Sequence, residues 1–238
     1  MWLLGDPAPW TKGSEVIHYP SVMGKSPVRL DRAQRVDERL KEVYPGNARE
    51  LCALTFETPF QLLAATILSA QCTDVRVNMV TPVLFASFPD ARSMAVASQD
   101  AVESIVKSTG FFRSKASHLI GMAQHVMHDF GGSVPSDLDQ LVTLPGVGRK
   151  TGNVVRSVAF DLPGLPVDTH VGRVSRRLSL TSQQDPVKVE RDLNKLIEPS
   201  QWGGFSLRLI LHGRAVCDAR KPRCADCLLS DICPQKGI

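Results

Sequence analysis

The chain has 238 residues, 43% of them apolar and 22% charged, so it can bury a core and is not a disordered polymer. Its net charge is +4, a mildly basic balance that fits a nucleic-acid partner without proving one. No apolar run reaches the roughly 18 residues of a membrane span; the longest, Phe60 to Ala70, is interrupted by Gln61, Thr66 and Ser69.

Residues 1–30 form an N-terminal extension with Pro7, Pro9, Pro20 and Pro27 and no periodicity, an arm for which Trp2 and Trp10 are candidate anchors. The start, Met1 to Asp6, lacks a basic region and a long apolar core, so a cytoplasmic location and reduced thiols are expected. From Asp31 the pattern turns helical, with Ala33, Val36, Leu40 and Val43 on one stripe. Thr58-Pro59 supplies a cap and a first-turn proline for a helix buried on most sides. Cys52 and Cys72 flank it and read as ordinary buried thiols. Ala116, Leu119, Ile120, Ala123, Val126, Met127 and Phe130 follow helical spacing, and Gly131-Gly132 ends that helix. Asp185-Pro186 starts another, with Val189, Leu193, Leu196 and Ile197 on one face. No segment alternates with period two, so the fold class is all-α, with about ten helices on short connections.

Three segments carry chemistry. In Leu144-Pro145-Gly146-Val147-Gly148-Arg149-Lys150-Thr151-Gly152-Asn153-Val154-Val155, a short helix over about 137–144 precedes a longer one over 149–160. Gly146 and Gly148 allow a tight turn with unusual backbone angles and bare amides, which suit phosphate at a helix N-terminus; a helical hairpin whose glycines only make the turn fits the same pattern. Lys150 falls in the first turn. A free lysine is neutral in only about one part in 2,500 at pH 7, so a nucleophilic one needs desolvation or cationic neighbours. An exposed lysine gripping phosphate is the alternative. Next, in Val167-Asp168-Thr169-His170-Val171, Asp168 reads first as an N-cap, a role compatible with facing a cationic transition state. His170 reads as structural. Finally, Cys217, Cys224, Cys227 and Cys233 stand in a C-x6-C-x2-C-x5-C run with Arg220, Lys221 and Arg223 between them. Four such thiolates can hold zinc or an iron–sulfur cluster, with a disulfide as the alternative, and the cations point to a polyanion.

Those three segments, together with LSAQCTD (68–74) and ILHGRAVC (210–217), resemble the helix-hairpin-helix DNA glycosylases, and the endonuclease III family in particular, from about residue 31 onward. The resemblance implies a bifunctional DNA glycosylase and abasic-site lyase of base excision repair for oxidised pyrimidines. It implies Lys150 as Schiff-base nucleophile, Asp168 as catalytic aspartate, and the four cysteines as ligands of a [4Fe–4S] cluster rather than zinc. It also implies phosphate contacts at Gly146, Gly148 and Arg149, with Lys221 and Arg223 beside them in the cluster loop. By the same resemblance Gln71 matches a glutamine that fills the gap left by a flipped nucleotide. Phe111 stands where the family commonly has a leucine wedge, a departure that leaves opposite-base preference open. The implied fold is two all-α lobes: a helical barrel with the hairpin over 52–162, and a cluster lobe joining 31–51 to 163–238. The implied partner is double-stranded DNA carrying damaged bases or abasic sites, bound by a monomer without a membrane. The competing reading is a non-catalytic DNA-binding or redox-sensing module. Adenine–mismatch glycosylases share the cluster but lack the lysine.

Overall fold

The structure is a computed structural model that describes residues 27–238, so the arm and its two tryptophans lie outside the described residues. All regular structure in them is helical, in twelve α-helices joined by short loops and single 3-10 turns. The first, α1 (Pro27–Val43), begins four residues before the expected Asp31, and the rest of the 1–30 extension precedes it. Its buried stripe is Ala33, Val36 and Leu40; Val43 is 52% exposed, because Tyr44 rather than Val43 turns inward after the helix ends.

After α2 (Ala48–Leu51), Thr58 caps α3 (Pro59–Leu68) by accepting the Gln61 amide. Every residue of α3 from Phe60 to Leu68 is buried. Full burial of a leucine such as Leu63 contributes about 1.5–3 kcal/mol, so α3 is the central post of its lobe. Helices α4 (Asp74–Ser87) and α7 (Phe112–Asp129) pack on it, while α5 (Ala91–Ala95) and α6 (Gln99–Val106) pack on α7. α7 buries Ala116, Leu119, Met122, Ala123 and Val126; it stops at Asp129, and the Gly132 amide returns to the Val126 carbonyl at 2.9 Å. Then come α8 (Leu138–Leu141) and α9 (Arg149–Ala159), followed by α10 (Thr169–Arg177), α11 (Pro186–Asn194) and α12 (Trp202–Ala215).

The buried apolar side chains form two clusters. One runs from Ala48 and Leu54 through α3–α9 to Val158. The other joins Ala33, Val36 and Leu40 of α1 to Leu165 and to side chains of α10–α12, ending at Leu229 and Ile232. Helix α12 packs on α1 and α10 in one direction and on α2 and α9 in the other, and Leu207 touches both clusters. Two helical lobes result, with the crossing between them set by α12.

Candidate active site

The hairpin is built as its sequence dictates. Asp137 caps α8 by accepting the Asp139 and Gln140 amides, and the chain then turns through 142–148 into α9. Gly146 has φ +76°, and a Cβ there would lie 2.8 Å from the Cβ of His118, so only glycine fits. Gly148 differs from the expectation: at φ −91°, ψ 174° it is extended, a conformation open to any residue, with free space where a Cβ would be. No side chain caps α9, so its first amides are left to face an anion.

Lys150 stands exposed in the first turn of α9. Asp168 stands half-buried at the N-cap of α10, where Oδ1 accepts the Val171 amide at 2.8 Å. The second carboxylate oxygen has no hydrogen-bond donor among the described residues. The two residues come from different lobes and line one open cleft, with Cys52, Leu54, Thr66 and Ser69 in its wall. An ion pair at 2.8 Å, Arg214 to Asp74, also lines it and ties α12 to the first turn of α4. Cys52 and Cys72 are half-buried and pack against the first core cluster, and Cys52 also lines this wall. His170 acts as a structural residue, its Nδ1 3.1 Å from Arg173, which itself donates to the Gly213 and Cys217 carbonyls.

The residues assigned to DNA divide into two kinds. Gln71 and Phe111 are exposed, Phe111 by 68%, and both have left-handed backbones at φ +52° and +48°. Lys221 and Arg223 are exposed in the loop between the first two clustered cysteines, where Asp218 accepts the Arg220 and Lys221 amides and Arg223 donates to the Ala215 carbonyl. Arg149 is already occupied: its guanidinium makes a two-point pair with the buried Glu190 of α11, at 2.7 and 2.8 Å. Sequence reading missed this interlobe pair because nothing local to α9 or α11 signals it. The same holds for Asp74 with Arg214, each of which lies in a quoted motif without an assigned role.

Cys217, Cys224, Cys227 and Cys233 line a single cavity beneath α10 and α12. Among the described residues no three His, Cys, Asp or Glu close around one point as a single metal ion requires. Donors reach the sulfurs from the protein side. Arg177 Nη1 lies 3.3 Å from Cys217 Sγ and His212 Nε2 3.5 Å from Cys227 Sγ. Burial pushes His212 down to about 4, so the imidazole is neutral. Burial, reinforced by the neighbouring cysteines, pushes the Cys227 and Cys233 thiols up.

The profile of the HhH-GPD superfamily of base excision DNA repair proteins matches residues 64–199, a span that holds the hairpin, Lys150 and Asp168. The endonuclease III of Synechocystis sp. is 50% identical over 215 residues, covering 90% of this chain and 97% of that protein. The chain belongs to the endonuclease III family. The Bacillus subtilis endonuclease III is 44% identical over 183 residues, covering 76% of this chain and 84% of its own. Two solved structures agree in fold. A non-covalent endonuclease III–DNA complex superposes with TM-score 0.81 at 37% identity, over 87% of this chain and 95% of that one. A trapped endonuclease III–DNA covalent intermediate does so with TM-score 0.80 at 37% identity, over 87% and 96%. The chain is thus a DNA glycosylase and AP lyase of base excision repair, and the non-catalytic reading falls.

Proposed function

We propose that this endonuclease III-family enzyme excises oxidised pyrimidines from duplex DNA and cuts the strand through a Schiff base on Lys150. The observation that carries the reading is the placement of Lys150 and Asp168, from two lobes, on one open cleft beside an uncapped helix N-terminus. A glycosidic bond inside a duplex is out of reach, so the nucleotide must first be extruded at a cost of a few kcal/mol, less for a damaged pair. The first-turn amides of α9 and the turn at Gly146 and Gly148 hold backbone phosphates. Gln71 and Phe111 fill the space vacated in the stack.

The lone pair of neutral Lys150 Nζ then forms a bond to the sugar C1′ as the bond from C1′ to the base breaks, its electron pair leaving with the base. Asp168 stabilises the positive charge that develops on the sugar ring, its free carboxylate oxygen turned to the cleft while the other stays on the Val171 amide. Opening of the ring gives a protonated imine. Loss of a C2′ proton then expels the 3′ phosphate and breaks the strand.

The four cysteines fit a [4Fe–4S] cluster. They line one cavity without any three of them closing around a single point, Arg177 offers an N–H group to the Cys217 sulfur, and a His212 ring nitrogen stands 3.5 Å from that of Cys227. Bound there, the cluster supplies a rigid fold for residues 217–233 and no bond-breaking step. Lys221 and Arg223 project from that loop toward phosphates. By this reading the barrel lobe spans 52–162 and the cluster lobe 31–51 with 163–238. The enzyme acts as a monomer in the cytoplasm. No helix of the described residues is long and apolar enough to cross a membrane.

Borohydride trapping tests the central claim. Wild-type protein is expected to give a covalent adduct with an oxidised-pyrimidine or abasic duplex. Lys150→Gln, similar in length without the amine, is expected to bind the lesion and give neither adduct nor cleavage. An adduct formed by Lys150→Gln would move the nucleophile to another amine.

A further inference from the structure

Gln71 and Phe111 lie far apart in the chain, yet to fill one opened site they must stand at a fixed distance from each other. Both have left-handed backbones, a strained state for a side chain with a Cβ that persists only where the surroundings enforce it. Between the two loops stands Lys115. Its side chain is buried, with 4% of its surface exposed, and it forms no ion pair with a carboxylate among the described residues. Its Nζ donates to the Leu68 carbonyl at 2.8 Å, 47 residues away, and to the Thr109 carbonyl at 2.8 Å. Leu68 is the last residue of α3, and the chain reaches Gln71 three residues on. Thr109 closes the 3-10 turn, and the chain reaches Phe111 two residues on. Neither carbonyl accepts another hydrogen bond among the described residues.

A bare ammonium in a core is costly, and burial pushes the pKa of Lys115 down, opposed only by nearby Cys72. A methionine would fill the same volume without that cost. What the lysine adds is a link between two helix-end carbonyls, whose partial negative charge favours a cation. We propose that Lys115 is a positioning residue that clamps the Gln71 and Phe111 loops at the spacing needed to enter the duplex together. This rests on the reading of Gln71 and Phe111 as the residues that enter the stack.

The test compares single-turnover strand cleavage by the full chain on an oxidised pyrimidine in a paired duplex and on the same lesion opposite a one-nucleotide gap. Lys115→Met is expected to lose about tenfold more rate on the paired lesion than on the gapped one, since strand opening is what the stacked side chains support. Lys115→Gln keeps two N–H donors and is expected to fall between Met and wild type. A purely structural role would lower both rates by one factor along with Tm. An equal loss on the two substrates, or no loss on either, overturns the proposal. If Lys115→Met does not fold by circular dichroism, Lys115→Gln carries the comparison, and failure of both to fold assigns the lysine to the core and also overturns it. Phe111→Ala runs in parallel. If it discriminates between the substrates and Lys115→Met does not, the clamp fails alone; if Phe111→Ala does not discriminate either, the wedge reading fails.

Discussion

Arg149 precedes Lys150 in sequence and is expected from the sequence to meet DNA, yet its guanidinium is held by Glu190. Replacing it by alanine therefore acts first on the fold. The Glu190 side chain is 7% exposed, so its carboxylate would be left buried without a partner. Removing one partner of a fully buried pair costs about 3–5 kcal/mol, and breaking a fully exposed one about 0–1 kcal/mol. Arg149 is 44% exposed at its side chain, which places this pair between those limits, at about 2 kcal/mol. For a chain of this length that corresponds to a fall in Tm of about 4–8 °C. Glu190→Gln removes the stranded charge, so the double variant Arg149→Ala/Glu190→Gln is expected to be more stable than Arg149→Ala alone. Urea unfolding of the four proteins gives the coupling energy, and the salt dependence of duplex binding gives the phosphate contacts. The reasoning fails if Arg149→Ala keeps wild-type stability while the log–log salt slope drops by about 0.9, because the guanidinium would then sit on a phosphate and not on Glu190.

Gly146→Ala meets both a positive φ and His118, and is expected to cost at least about 1–2 kcal/mol in denaturant unfolding. Gly148→Ala is expected to cost only about 0.5 kcal/mol while still weakening duplex binding, since the added methyl group points into open space at the phosphate site. Lys221→Ala is expected to flatten the salt slope by about 0.9 without changing lesion preference, and adding Arg223→Ala to bring the total to at most about two units. Purified protein is expected to be yellow-brown with about four irons per chain; stoichiometric zinc without iron in anaerobically prepared protein would refute the cluster. Loss of the iron is expected to raise hydrogen exchange in α1, α10, α11 and α12, whose shared core touches Cys217, Cys227 and Cys233, while α3 and α7 keep their protection.

How much of this was legible followed from how local each signal was. The start of α9 at Arg149, the caps Thr58, Asp168 and Asp185, and the stripe of α7 rest on residues within one or two turns, and each matches the sequence reading. Helix α4 was not read, for a physical reason. Val75, Met79 and Val83 are 66%, 62% and 57% exposed while Val77, Val80 and Leu84 are buried. Apolar residues all round leave no stripe to detect, and Pro82 interrupts the pattern further. In the candidate site, the positions of Lys150, Asp168 and the cysteines followed from motifs. Their supports did not: Glu190 under Arg149, Arg214 across from Asp74, and Lys115 beneath the wedge loops each join positions that only the folded chain brings together.

Those supports share a direction. Arg149 to Glu190 runs from the lobe of α9 to that of α11, and Arg214 to Asp74 runs from α12 to the start of α4. Each crosses between the lobes, one beside Lys150 in the chain and one in the wall of its cleft. Lys150 and Asp168 themselves make no contact that would fix their separation, since Asp168 is spent on its own helix and Lys150 is exposed. The separation of Lys150 and Asp168 is therefore set indirectly, by α12 packed on both lobes and by the two charged pairs that cross between them. On the proposed mechanism, a site built this way holds its reacting groups in place before DNA arrives. On the same mechanism, substitutions at Lys150 or Asp168 are expected to remove chemistry and leave the cleft in place, whereas substitutions at Glu190 or Arg214 are expected to leave the chemistry and alter the packing of the lobes around it.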